Sequence, residues 1–149
     1  MKSLKIFSLM MLMLVAITGC SKEKTPVVSG DNAVVGQWVL TSWNEEAPEF
    51  NVYLSFENDG TFAIYQQVWS LDYECFKGTY QLEGSILTGK YADNSIWASG
   101  YKVETTDNTL VLYSQEDQSV KSVYEKCEIP AEIIEEATTT RAAEAVPFL

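Results

Sequence analysis

The chain of 149 residues contains no histidine. That removes the commonest general base and with it any Ser–His or Cys–His nucleophile pair. Cysteine numbers only three, and without His these make a poor zinc set, so no metal site is assigned. Cations are scarce: ten Lys and Arg stand against 21 Asp and Glu, a formal charge of −11, with Arg141 the single arginine. So acidic a chain does not track a nucleic-acid backbone, whose binding depends on Lys and Arg neutralising phosphate. No Gly-rich phosphate loop is present, and no cofactor is expected. The carboxylate pairs Glu45–Glu46 and Glu116–Asp117 sit in turn-like segments among other charges and read as solvated surface. Asp72 and Glu74 are the nearest approach to a clustered acidic site. No residue is assigned a catalytic role, and the chain is not expected to be an enzyme.

Long apolar runs are also lacking, with one exception. Ile6 to Ile17 follows Lys2 and Lys5 and is too short to span a bilayer, which takes ~20 apolar residues. It has the length and flanks of a signal-peptide core. The run ends in Ile17-Thr18-Gly19-Cys20, which resembles the lipobox of bacterial lipoproteins. The resemblance implies a signal peptide over residues 1–19 and acyl chains such as palmitate on Cys20, holding the mature protein on the cell envelope. Two or three chains anchor stably, since each buried methylene adds ~0.8 kcal/mol. Ser21 in place of Asp resembles the sorting signal for the outer membrane. Losing residues 1–19 removes Lys2 and Lys5 and no acid, so the mature chain moves from −11 to −13. Its membrane contact is then expected through the lipid alone.

Residues 20–32 are polar, with Pro26, Ser29 and Gly30, and read as a lipidated tether spanning roughly 20 Å. Residues 33–129 hold every aromatic except Phe7 and Phe148, so the core is expected there. From Pro130 to Leu149, a turn or two of helix around Ile133 and Ile134 is expected, followed by a loose tail through Thr138-Thr139-Thr140 and Pro147.

Inside the body the hydrophobic period is 2. Phe50, Val52, Leu54 and Phe56 alternate with polar neighbours, and Asn58-Asp59-Gly60 supplies a tight turn. The same reading continues through Thr61–Val68, Phe76–Leu82, Ile86–Tyr91, Ile96–Thr105, Thr109–Ser114 and Ser119–Glu128, with Val35–Trp43 in front. Eight evenly spaced strands joined by hairpins make a meander. Such a meander closes into an all-β, eight-stranded antiparallel up-and-down barrel or folds as a two-layer sandwich.

Gly36-Gln37-Trp38 resembles the Gly-x-Trp signature of lipocalins, whose Trp plugs the closed end of the barrel; Gly36 and Trp38 are the expected barrel-end residues. Thr106-Asp107 resembles the start of that family's second motif, without the Tyr that follows it. The Arg of the third motif has no counterpart, since the last strand offers only Lys121 and Lys126. The order of Val35-Gly36-Gln37-Trp38, Leu54 to Phe62, Lys77-Gly78-Thr79-Tyr80 and Asp107 to Leu112 is similar to bacterial lipocalin-like lipoproteins. The resemblance covers about residues 33–129. It implies a lipocalin-like barrel and a disulfide between Cys75 and Cys127, as lipocalins often join the fourth strand to the segment after the barrel. The chain-entropy value of such a bridge is roughly 4 kcal/mol. Two separate free thiols are the alternative.

A barrel of this size fills its interior or holds one small ligand. The lumen candidates are Leu40, Leu54, Phe56, Phe62, Ile64, Tyr80, Trp97, Tyr101, Leu112 and Tyr124. Trp69, Leu71 and Tyr73, in the loop after the third strand, are placed at a mouth or as a cap on the core. Two partners are consistent with these residues. One is a small hydrophobic or amphipathic molecule. The other is a basic protein, because Ala98-Ser99-Gly100-Tyr101 resembles the Ser-Gly segment of small β-barrel lysozyme inhibitors and the charge suits a basic hydrolase. A role as accessory subunit of an envelope complex stays open.

Overall fold

The computed structural model describes residues 33–149. The signal peptide, Cys20 and the tether lie outside the described residues. Eight antiparallel strands follow one another: β1 (Gly36–Trp43), β2 (Asn51–Phe56), β3 (Thr61–Gln67), β4 (Glu74–Glu83), β5 (Ile86–Tyr91), β6 (Tyr101–Thr105), β7 (Thr109–Ser114) and β8 (Lys121–Lys126). Each pairs with the next, and β8 pairs back onto β1, so the sheet closes into an up-and-down barrel. Closure excludes the two-layer sandwich and leaves no free barrel edge. The apolar phase of every strand points inward. In β2, for example, Val52, Leu54 and Phe56 are buried and join one continuous core.

The register defines two ends. Gly36, Phe56 and Thr61 meet at one, together with the β6–β7 turn and Lys126; Trp43, Asn51, Gln67, Glu74 and Lys121 lie at the other. The first end is sealed by Trp38, which is 1% exposed and donates its indole N–H to the Val34 carbonyl at 2.8 Å. Lys126 Nζ lies 5.6 Å from the centroid of that ring. A lysine of the last strand thus takes the position across Trp38 for which the sequence offered no arginine, in a cation–π contact. Gly36 makes the approach: its φ of 135° suits only glycine, and Lys126 Cε lies 3.4 Å from where a Cβ would stand.

The expected sixth strand, Ile96–Thr105, is shorter than its pattern. Only the bridge between Lys90 and Ile96 extends the ladder, and β6 begins at Tyr101. The interruption carries Trp97 across β5 into the lumen.

The segment after β8 is ordered, contrary to the expectation of a loose tail. α1 (Ala131–Glu136) packs Ile133 against Tyr65, Cys75 and Ile129 on the outer face of the barrel. β9 (Thr138–Thr139) adds in parallel to the start of β4, bonding through Thr138 N–H to the Tyr73 carbonyl. The chain then runs over the second end of the barrel.

Candidate functional site

The ten lumen candidates are all buried in a single cluster. Nine come from strands and Trp97 from the β5–β6 connection. Phe76, Leu82, Leu87, Tyr91 and Leu110 join them without having been singled out. The rings interlock edge to face: Trp97 lies 5.0 Å from Phe62 and 6.0 Å from Tyr101, and Phe56 lies 5.0 Å from Tyr80. Trp97 fits because Gly89 has no side chain; a Cβ there would come within 2.0 Å of the indole. Two polar atoms inside this aromatic interior, Trp97 Nε1 and the Tyr124 hydroxyl, make no hydrogen bond of normal geometry. Burial, and after it the neighbouring Tyr101, raises the Tyr124 phenol, which Ser122 opposes from its own strand. Unpaired buried donors are uncommon in folded proteins. Burial pushes the phenols of Tyr80 and Tyr101 up to about 12, so both remain neutral donors.

The strands leave the second end of the barrel without a plug like Trp38, and residues 143–149 cross and fill it. Gln66, fully buried, donates from Nε2 to the Val146 carbonyl at 2.9 Å and accepts at Oε1 from Phe148 N–H at 2.8 Å. The Tyr91 hydroxyl donates to the backbone oxygen of Leu149, whose side chain is 2% exposed within the core cluster. Phe148 packs on Trp43 and Phe50, with ring centroids 6.0 Å and 5.7 Å away. Asp93 Oδ2 accepts from Ala143 N–H. The mouth therefore combines an aromatic wall with three polar contacts deep inside it. Gln66 and Tyr91 were not among the sequence candidates. The signal for Gln66 was its place in the alternation phase of Phe62 and Ile64, which puts a polar side chain on the inner face.

A groove of about 630 Å³ lies beside the barrel between β4, β5 and the 96–100 segment, lined by Tyr80, Thr88, Lys90, Ile96, Trp97 and Glu116 among others. Ser99 borders it, but its hydroxyl serves the loop. It donates to the Gly100 carbonyl, contacts Ser114 Oγ and accepts from the Gln115 N–H.

The remaining sequence expectations are placed as follows. Trp69 and Leu71 stand in solvent, 74% and 93% exposed, and cap nothing; Tyr73 packs against Tyr53. Cys75 and Cys127 are free thiols, so the implied disulfide is not formed in this structure. Both border the cluster beneath α1, Cys75 buried and Cys127 half-buried, and burial raises the pKa of each. Among the described residues no group of three acidic or Cys side chains could hold a metal, and Asp72 with Glu74 does not form one. No described helix is long and apolar enough to cross a membrane.

A family model described as a lipocalin-like domain matches residues 34–112. Among solved structures, a lipocalin-like protein from Bacteroides uniformis superposes with a TM-score of 0.51 at 19% identity, covering 64% of this chain and 99% of that one. An uncharacterized protein from Bacteroides eggerthii gives 0.47 at 20% identity, over 62% and 98% of the two chains. The lipoprotein YedD from Klebsiella pneumoniae gives 0.47 at 17%, over 71% and 81%. At these identities the likeness concerns the fold. No curated protein sequence matches the chain.

Proposed function

The chain belongs to the lipocalin-like domain family, and from that premise we propose that it binds a small apolar or amphipathic molecule at the open end of its barrel while a lipid on Cys20 holds it on the cell envelope. The observation that carries the binding reading is the make-up of the open end. The aromatic pair Trp43 and Phe50 and the polar groups of Gln66 and Tyr91 all engage the same segment, residues 146–149. Displacement of residues 146–149 would leave an apolar recess with a few fixed polar groups, the usual form of a small-molecule site. The orphaned Trp97 Nε1 and Tyr124 hydroxyl deeper in the lumen extend the same chemistry.

Titration of the detergent-free protein with a fatty acid, a sterol, a bile acid and a tetrapyrrole tests this reading through tryptophan fluorescence. Saturable quenching by at least one of them is expected. A flat response to all four, with nothing apolar released on denaturation, would remove the reading. The anchor is tested by metabolic labelling with a palmitate analogue: incorporation is expected in the native chain and not in Cys20→Ser, and an unlabelled native chain would refute it. Fractionation of the labelled cells then tests the outer membrane as its location.

A further inference from the structure

Residues 146–149 sit at the open end as a ligand would sit. Their backbone presents an acceptor, a donor and an acceptor: the Val146 carbonyl, the Phe148 N–H and the Leu149 oxygen. Gln66 Nε2, Gln66 Oε1 and the Tyr91 hydroxyl answer these in turn. Two apolar side chains accompany them, Leu149 into the core and Phe148 onto Trp43 and Phe50. Gln66 is fully buried, and both ends of its amide are used by this segment. The segment thus pairs a buried carboxamide and a buried phenol that water would have to reach if it left. A ligand that takes the segment's place and excludes water keeps these groups paired only if it brings peptide-like donors and acceptors. The attachment is nonetheless slight on its outer side: Val146 is 64% exposed, and the salt bridge of the approach, Arg141 with Glu144, is solvent-exposed with its partners 3.7 Å apart.

We propose that residues 146–149 are an internal ligand that must leave before an external one binds, and that the external ligand is a peptidic amphiphile, an apolar chain joined to an amide and a second carbonyl group. The inference rests on the binding reading above and names both the chemistry of its ligand and the competitor that regulates it. A simple acyl carboxylate satisfies Tyr91 and one end of Gln66; an N-acyl amino acid also supplies the N–H that Gln66 Oε1 now takes from Phe148. A segment docked about nine-tenths of the time lowers apparent affinity about tenfold, because only the open fraction binds.

The experiment compares N-dodecanoyl-leucine with dodecanoate, each titrated into the intact protein and into the double variant Phe148→Ser, Leu149→Ser. Tenfold or greater tightening of N-dodecanoyl-leucine in the variant is expected, together with a preference for it over dodecanoate. Amide hydrogen exchange on the intact protein adds a measurement free of any mutation: Phe148 N–H is expected to lose protection when N-dodecanoyl-leucine is added. Equal affinities in the two proteins, with Phe148 protection unchanged, would overturn the inference and leave small-molecule binding standing. A variant that binds neither probe would also overturn it, while the four-ligand titration decides the broader reading separately.

Discussion

Trp38 illustrates how far a single residue was legible. The sequence Gly36-Gln37-Trp38 pointed to a plug at one barrel end, and the indole is there, bonded to Val34 and covered by Lys126. The covering cation was not legible, since one lysine on an outer strand looks like any other until the fold brings it to the ring. Truncation by Trp38→Ala removes a fully buried ring and its hydrogen bond. It is expected to cost ~3–5 kcal/mol, measured by urea denaturation. Trp97 depends on an absence next to it. Gly89→Val puts carbon within 2.0 Å of the indole or closer, so the ring must leave the lumen. The expected result is a red-shifted tryptophan emission and a lower melting temperature, on the scale of ~1–3 kcal/mol for overpacking. Unchanged emission would mean that the glycine is not what admits the ring. Gln66 marks the limit of such reading: its phase with Phe62 and Ile64 puts it on the inner face, and only the folded chain shows what its amide bonds to.

At the level of elements, hairpin chemistry repeats. Asp59 with Thr61, Asp93 with Ser95 and Asp117 with Ser119 make the same turn, in which the Asp carboxylate accepts from the hydroxyl and the backbone N–H two residues on. These bonds hold all three carboxyls below the ordinary Asp value of 3.8, the hydroxyl contact contributing most. A depressed folded-state pKa gives stability that is present above the unfolded value and lost as pH falls through the lower, folded one. The triple variant Asp59→Asn, Asp93→Asn, Asp117→Asn is therefore expected to melt lower at neutral pH and to lose less on acidification below about 4. Parallel acid limbs in the two proteins would contradict this.

The eight strands themselves were legible because alternation and turn residues agreed. The exception was the sixth, where Ile96 continued the pattern although the chain diverts to deliver Trp97. The final segment was misread as loose because Pro147 and three threonines argue against regular structure. Its order comes from long-range contacts with Gln66, Tyr91 and Trp43, which no local pattern records.

For the whole molecule, closure by β1–β8 pairing gives one aromatic core inside the barrel, with Trp38 sealing one end and residues 146–149 filling the other. That core also sets the response to alkali. Burial in that core raises Tyr80 and Tyr101 to about 12, and burial beneath α1 on the outer face raises Tyr65 equally. Raised above the unfolded value of 10.0, these phenols contribute stability that is complete below that pH and fades as pH climbs to about 12. Ultraviolet phenolate absorbance is expected to show a delayed set of tyrosines whose ionisation coincides with loss of near-ultraviolet circular dichroism. Titration of every tyrosine near pH 10, with the fold intact, would contradict a closed core.

The account turns on the open end being where ligand is taken. Amide and indole chemical shifts of the intact protein, followed during titration with N-dodecanoyl-leucine, locate binding directly. Shifts are expected at Trp43, Gln66, Tyr91, Phe148 and Leu149, with Trp38 and Lys126 at the sealed end unmoved. Shifts confined to the sealed end or to the groove beside β4 and β5, or none at all, would contradict it.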